Sequence, residues 1–164
     1  VYPALERGAI DAAEWVGPYD DEKLGFYKVA KFYYYPGWWE PGPVLSFYVN
    51  KEQWDKLPKP YQAAFEAAAA EANVGMLAAY DTKNPQAIQR LVQNGTQLRR
   101  YPDDVMKAAY ETAQKIYAEE SAKNPDFKKL YDSMRAFQRP SDIWAGLPEG
   151  TLANFMQAML RSGK

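Results

Sequence analysis

The 164-residue sequence contains neither cysteine nor histidine. Without cysteine there can be no disulfide, no thiolate nucleophile and no thiolate metal ligand. Without histidine the commonest general base and the commonest transition-metal ligand are missing, so a nucleophilic triad would need an unusual base. Any metal site must therefore be built from oxygen atoms, which favours a hard cation such as calcium, magnesium or sodium.

The sequence also has little net charge and no long apolar run. A net charge of −1 gives no broad attraction to nucleic acid or to an anionic membrane, so neither is expected as a partner. There is no apolar stretch of membrane-spanning length, no glycine-rich phosphate loop and no acidic calcium loop. The paired carboxylates at 20–21 and 103–104 stand at predicted helix starts, where capping accounts for them. Enzymatic chemistry therefore has no positive support.

What the sequence does have is an unusual number of aromatic residues. There are 13 Tyr and 5 Trp, and aromatic residues make up 15% of the chain. Such a content suits a binding surface or a cleft. The length is sufficient for one domain with a substantial core.

The stretch 11–21 contains the first candidate site. A short run of small and apolar residues, 12–16, predicts a buried strand that ends before Gly17. Glu14 lies within this run and Trp15 follows it, and a carboxylate in a buried strand is costly unless it is paired, hydrogen-bonded or bound to a cation. Two interpretations stay open. Glu14 reaches solvent or a nearby arginine, or it is a ligand-site carboxylate beside an aromatic wall, at the carboxyl end of a strand where open α/β sheets bind ligands.

A second candidate is the segment 36–43, in which three prolines and two glycines predict irregular backbone. A stiff loop then presents Trp38 and Trp39, directly followed by Glu40. One interpretation is that the two indoles fill a gap beneath the loop, as large aromatic side chains commonly do. The functional interpretation makes Trp39 a wall of the cleft and Glu40 a second polar contact.

The remaining periodicity predicts a helix-rich α/β fold with short strands. The strongest signal is an alanine-rich helix over 60–94, predicted either as one long helix kinked at Pro85 or as two nearly collinear ones. A second predicted helix, 151–164, is amphipathic, and nothing in the sequence after it covers its apolar face. This helix therefore either folds back on its own domain or packs on another chain. The other predicted elements are a helix running from Asp20 into the tyrosine-rich segment, a short helix at 51–57, strands at 45–49 and 97–101, helices from 103 and from 127, and a glycine-punctuated loop after Trp144.

At its start the sequence resembles a known family. Residues 3–12, PALERGAIDA, are similar to the "aLqrGavDa" signature of the extracytoplasmic solute receptors of TRAP (tripartite ATP-independent periplasmic) transporters. The resemblance continues through EWVGP, PGWWE, FYVN, WDKLP and the alanine-rich helix, and it covers nearly the whole chain. Within the family, the Glu-Trp pair and the YYYPGWW segment look most like receptors for α-keto acids and related monocarboxylates.

The resemblance implies a fold of two α/β lobes that close on an organic acid, with a long helix spanning both. Residues 1–164 then correspond to the C-terminal lobe. The signal peptide, the N-terminal lobe and the arginine that clamps the substrate carboxylate are expected upstream. The function implied is that of a periplasmic, non-enzymatic binding protein, which delivers a 2-oxo or 2-hydroxy acid such as pyruvate or lactate to the membrane permease subunits.

The resemblance also implies site residues. In the α-keto acid branch the ligand is held together with a sodium or calcium ion. Glu14 carries over as a cation ligand, Trp15 contributes its main-chain carbonyl to the cation and its ring to the pocket, and Glu40 carries over as a further ligand. A domain-swapped homodimer built by the C-terminal helix would cover the apolar face within 151–164. The alternative function is a stand-alone, aromatic-rich module that recognises carbohydrate or protein.

Overall fold

The computed structural model describes residues 1–40 and 42–163, so that Pro41 of the aromatic loop and Lys164 of the predicted C-terminal helix lie outside the described residues. The chain divides into two compact units, 1–103 and 104–164. The described elements of the first unit are α1 (Tyr2–Glu6), α2 (Pro18–Lys23), a 3-10 turn (Phe26–Lys28), β1 (Phe32–Tyr35), α3 (Lys51–Lys56), α4 (Lys59–Gln93) and β2 (Gln97–Arg100). The remaining elements are α5 (Asp103–Lys123), α6 (Pro125–Ala145), a π-helical turn (Gly146–Gly150) and α7 (Thr151–Arg161). The predicted helix-rich fold with short strands is confirmed.

Strands β1 and β2 pair in parallel, with Phe32 opposite Gln97 and Tyr35 opposite Arg100. The prediction that a helix continues into the tyrosine-rich segment is wrong, because residues 32–35 form β1. Consecutive aromatic side chains favour a strand, and the neighbouring strand β2 supplies the hydrogen bonds that a strand requires. β2 itself lies within the predicted strand 97–101.

Two other predicted strands are not formed. Residues 12–16 and 45–49 have irregular backbone, and all ten of these residues are exposed. Their composition is compatible with a strand, but a strand is stable only beside a hydrogen-bonded neighbour. Within the described residues the ladder of β1 and β2 includes neither segment.

Helix α4 is a single helix of 35 residues that passes through Pro85. Pro58 stands at its N-cap and Pro60 in its first turn, where a missing amide proton costs nothing. Proline is also accommodated inside α6, at Pro140. The predicted loop after Trp144 is wrong, because Gly146–Gly150 forms a π-helical turn that connects α6 to α7.

Helix α2 packs on the C-terminal half of α4 through polar contacts. Arg90 donates two hydrogen bonds of 2.7 Å to the carboxylate of Glu22, and the Tyr80 hydroxyl donates one of 2.7 Å to Asp20. Ala87 and Leu91, on the same half of α4, are the buried apolar residues of the described chain. The small core of the first unit therefore lies where α2 meets α4.

In the second unit, α6 begins with a side-chain cap. Asn124 Oδ1 accepts hydrogen bonds of 3.0 Å from the amides of Asp126 and Phe127. The rings of Tyr117 on α5 and Tyr131 on α6 lie 5.1 Å apart, which joins these two helices. The apolar side chains of α7 remain largely exposed, among them Leu152, Phe155, Met156 and Leu160.

Candidate functional site

Glu14 and Trp15 lie in the irregular segment that leads into α2. Glu14 is exposed, so the expectation of a carboxylate buried inside a strand is wrong. The indole of Trp15 is 49% exposed and makes an edge-to-face contact with Phe26, with ring centroids 6.2 Å apart. Glu14 therefore needs no partner within this chain, and one side of the Trp15 indole is free for a contact from outside the chain.

Behind this segment lies a cavity of about 70 Å³. Trp15 and Glu14 form part of its wall. Residues of α1, α2, the 3-10 turn, β1, α4 and the loop before β2 supply most of the rest. The residues that matter most for its chemistry are Glu14, Trp15, Asp21, Tyr33, Leu91 and Thr96. The two polar groups Asp21 and Thr96 are only 7% and 6% exposed. Buried polar side chains thus stand directly behind the predicted site pair.

Asp21 is held by Tyr33. The Tyr33 hydroxyl donates a hydrogen bond of 2.5 Å to Asp21 Oδ2, and the Val16 and Gly17 amides lie close enough to favour the ionised carboxylate. Burial raises the pKa of the Asp21 carboxyl above its ordinary value, against the opposing effects of the Tyr33 hydroxyl and the Val16 and Gly17 amides. Burial, reinforced by Asp21, also places the pKa of Tyr33 well above its usual range, so this hydroxyl keeps its proton.

The N-terminus of α2 receives its cap from α4. Gly17 has no side chain to cap the helix, and Asn84 Oδ1 instead accepts a 3.0 Å hydrogen bond from the Tyr19 amide. Tyr19 is the second helical residue, whose amide a capping side chain normally satisfies. The helix that follows Glu14 and Trp15 is therefore fixed by a residue 65 positions away in the sequence.

Trp39 and Glu40 follow the carboxyl end of β1. The Trp39 ring makes edge-to-face contacts with Trp38, at 5.4 Å, and with Tyr101, at 6.3 Å, just beyond the carboxyl end of β2. Trp39 is 44% exposed and Glu40 is exposed. The two indoles thus contact each other and Tyr101, and each keeps a large exposed area.

Neither an aromatic contact nor a hydrogen bond joins Glu14 or Trp15 to Trp39 or Glu40 in the part of the chain that the structure describes. In the same part of the chain, no three carboxylates gather into a ready-made cation site. No helix there is both long enough and apolar enough to cross a membrane. The two predicted pairs are therefore not joined by a direct contact of either kind, and all four residues keep exposed surface.

A larger cleft of about 830 Å³ lies between the segment 45–49 and α4, and it contains none of the predicted site residues. Its walls are mainly apolar, with Phe47 and Trp54 both in edge-to-face contact with Phe65, at 5.9 and 5.7 Å. Size alone would favour this cleft. We place the candidate site at Glu14 and Trp15, because two buried polar side chains, Asp21 and Thr96, line the cavity behind that pair. Gln62, the other buried polar residue of the described chain, does not line the larger cleft.

Asp21, Tyr33, Asn84 and Thr96 were missed by sequence reasoning. The sequence predicts Asp21 as a helix cap, and the other three belong to segments that only the tertiary fold brings to the stretch 14–21. A signal for one of them exists. Tyr80, Asn84, Ala87 and Leu91 recur at intervals of three and four residues, which places them on one helix face.

Comparison with known proteins finds relatives over nearly the whole chain. The family described as bacterial extracellular solute-binding protein, family 7, matches residues 1–124. A monocarboxylate 2-oxoacid-binding periplasmic protein of Nostoc sp. (strain PCC 7120) is 50% identical over 155 residues, which are 94% of this chain and 43% of that protein.

Two crystal structures are similar to the chain. A TRAP transporter solute binding protein from Bordetella bronchiseptica RB50 has a TM-score of 0.90 and 45% identity over 99% of this chain and 48% of its own. It is a mixed occupancy dimer, with copurified calcium and picolinate bound at one active site and an apo site. A TRAP periplasmic solute binding protein from Pseudoalteromonas atlantica T6c, with bound sodium and pyruvate, has a TM-score of 0.88 and 32% identity. The match covers 94% of this chain and 47% of its own. The chain thus spans about half the length of these relatives.

Proposed function

Because the chain belongs to the bacterial extracellular solute-binding protein family 7, we propose that it forms the C-terminal lobe of a periplasmic receptor for a small 2-oxo or 2-hydroxy monocarboxylate. The receptor binds this acid together with a sodium or calcium ion and delivers it to the membrane permease of a TRAP transporter. It is a transport protein and not an enzyme. The observation that carries the proposal is the 50% identity, over 94% of the chain, to a periplasmic protein that binds monocarboxylate 2-oxoacids.

The cation is assigned to Glu14, Trp15 and Glu40. Without cysteine and histidine the chain offers only oxygen ligands, which suit sodium and calcium. Glu14 is exposed and free to turn toward an ion, and Trp15 supplies a main-chain carbonyl in irregular backbone. These donors are fewer than a calcium ion requires, so the remaining ligands come from the substrate carboxylate, from water or from the rest of the receptor.

The substrate is assigned to the open faces of Trp15 and Trp39, with Glu14 acting through the cation. Both indoles hold an edge-to-face contact on one side and keep almost half of their surface exposed. A flat 2-oxo acid has an apolar face that fits an indole and a carboxylate that fits a bound cation. The cation also neutralises the repulsion between the substrate carboxylate and Glu14.

The large solvent-exposed area of this chain supports the proposal that a second lobe packs against it. The chain exposes 13481 Å², whereas two separate compact units of these lengths would together expose only about 10,000 Å². The segment that leads into α3 contributes strongly, with Val44, Leu45 and Tyr48 exposed to 91%, 73% and 95%. In our proposal the N-terminal lobe covers this surface and pairs with the strand-like segments 12–16 and 45–49.

The test is isothermal titration of the complete receptor with pyruvate and other 2-oxo acids, each with and without sodium or calcium. We expect tight binding only in the presence of the cation. Glu14→Gln should weaken cation and acid binding together, by about 10-fold or more, because a neutral amide replaces a charged ligand. Glu119→Gln, at an exposed carboxylate of α5, is the matched control and should change neither affinity.

Two results would contradict the proposal at different points. Binding that needs no cation and survives Glu14→Gln would remove the cation assignment and leave the receptor function intact. A complete receptor that binds no 2-oxo or 2-hydroxy acid under any of these conditions, while this chain alone binds an arrayed carbohydrate, would favour the aromatic interaction module instead.

A further inference from the structure

Helix α4 continues through a proline in its C-terminal half. Pro85 has no amide proton to donate to the Asp81 carbonyl, and its ring crowds that oxygen, so a proline inside a helix weakens or kinks it. Nevertheless α4 runs as a single helix from Lys59 to Gln93. Contacts from outside α4 that reach both sides of Pro85 would offset this weakness.

Helix α2 makes such contacts. Before the proline, the Tyr80 hydroxyl donates a hydrogen bond of 2.7 Å to Asp20 Oδ2. After the proline, the Arg90 guanidinium donates two hydrogen bonds of 2.7 Å, one to each carboxylate oxygen of Glu22. Helix α2 therefore bridges the two parts of α4 that Pro85 separates.

The pair of Arg90 and Glu22 is the strongest of these contacts. It is bidentate, and such a pair fixes the relative orientation of its partners as well as adding energy. The Glu22 side chain is 20% exposed and that of Arg90 is 46% exposed, so water screens the pair only in part. The hydrogen bond from Arg90 lowers the pKa of Glu22, which keeps this carboxylate ionised at neutral pH.

Helix α2 depends on its contacts with α4. It has six residues, and an isolated helix of this length is not stable in water. Its N-cap is Gly17, which has no side chain, and Asn84 of α4 supplies the cap instead. Glu14 and Trp15 lie just before this N-cap, in irregular backbone. The contacts that hold α2 therefore also fix one end of the segment that carries the proposed ligands.

We propose that Arg90 and Tyr80 are positioning residues of the candidate site, which act through α2 on Glu14 and Trp15. The same contacts hold the two parts of α4 together across Pro85, so the order of the site segment and the order of α4 at this point depend on one helix. The effect on ligand binding rests on the proposed function, whereas the dependence of both segments on α2 does not.

The first measurement uses Arg90→Gln, which removes the bidentate pair. In the complete receptor this variant should speed amide hydrogen exchange across 15–24 and across 86–89, and it should weaken 2-oxo acid binding. Each change should be about 3- to 10-fold, as expected for a partly exposed ion pair. Arg139→Gln, the same substitution at an exposed position of α6, is the control and should change none of the three.

A double-mutant cycle tests whether Arg90 acts through Glu22. Glu22→Gln alone should give changes of the same size as Arg90→Gln. The two substitutions together should be no worse than either alone, because each removes the same pair. If their effects on affinity add, Arg90 acts by another route and the proposal is overturned.

Pro85→Ala tests the link between α2 and the weak point of α4. Alanine restores the amide proton and the helical hydrogen bond to the Asp81 carbonyl. In this background Arg90→Gln should still weaken acid binding, but it should speed exchange across 86–89 much less than it does when Pro85 is present. Equal acceleration in the two backgrounds would show that α2 does not support α4 across the proline.

The outcomes separate positioning from a merely structural role. If Arg90→Gln lowers the melting temperature while affinity and exchange across 15–24 stay unchanged, the positioning role is wrong. If Arg90→Gln does not fold, Tyr80→Phe takes its place, because it removes only the hydroxyl bonded to Asp20. Unchanged affinity and exchange in Tyr80→Phe would then overturn the proposal. If the wild-type receptor binds no 2-oxo acid, the proposed function fails, but the exchange rates still test the dependence of both segments on α2.

Discussion

At the scale of single residues, Asp21 differs most from an ordinary surface carboxylate. Its pKa is raised chiefly by burial, and its partner Tyr33 donates the hydrogen bond to one oxygen only. Since the folded state then holds the Asp21 proton more tightly than the unfolded state, this group stabilises the fold most at low pH. Its contribution is lost as the pH rises from the ordinary value of 3.8 through the raised pKa.

Asp21→Asn tests this pH dependence. Asparagine keeps an acceptor for the Tyr33 hydroxyl and does not titrate. We therefore expect the stability of the wild type, relative to the variant, to fall as the pH rises above 3.8 and then to level off. Urea unfolding of both proteins across the acid range measures the difference. Glu22→Gln should give the opposite trend, because the hydrogen bond from Arg90 lowers the pKa of Glu22. A pH-independent difference between wild type and Asp21→Asn would contradict the prediction.

The sequence allowed one half of the candidate site to be predicted. Glu14 beside Trp15, and Trp39 beside Glu40, are local pairs that can be read from neighbouring residues. Asp21 and Thr96 could not be found in this way, because they lie 75 positions apart in the sequence and only the fold brings both to the wall of one cavity. The burial of Asp21 is a tertiary effect, whereas its position near a helix start had suggested a simple cap.

At the scale of elements, the cap of α2 by Asn84 decides how the segment after Trp15 is held. We expect Asn84→Ala to cost about 1 kcal/mol of stability, because the Tyr19 amide loses its acceptor at a helix N-terminus. Asn73→Ala is the matched control, since Asn73 is an exposed residue of the same helix and undergoes the same change in helix propensity. The measurement is the urea midpoint together with hydrogen exchange of the Tyr19 amide. If the Tyr19 amide exchanges equally fast in Asn84→Ala and Asn73→Ala, Asn84 does not cap α2.

Helices were easier to predict than strands for a physical reason. α4 and α5 carry their own hydrogen bonds and a local apolar period, so composition and spacing within a window are sufficient. A strand depends on a neighbour that the local sequence does not contain. The aromatic segment 32–35 became a strand because β2 lies beside it, and 45–49, with equally strong β composition, did not.

At the scale of the whole molecule, the apolar surface left exposed requires partners. The second unit ends in α7, whose apolar face includes Leu152, Phe155 and Leu160, exposed to 61%, 59% and 74%. A contiguous apolar face of this kind is typical of an interaction site. The Bordetella relative is a dimer in its crystal structure. We therefore expect this face to pack on a second copy of the receptor.

Deleting 151–164 should convert a dimeric receptor into a monomer, with about half the mass in light scattering, because the deletion removes the proposed interface. A point variant separates the interface from the loss of a helix. Phe155→Glu places a charge in the apolar face and should also give monomers, since a buried unpaired charge is costly. Asn154→Glu, on the neighbouring polar position, should leave the dimer intact. If the full-length receptor is dimeric and both the deletion and Phe155→Glu retain its mass, the dimer is built elsewhere, and α7 covers another part of its own chain.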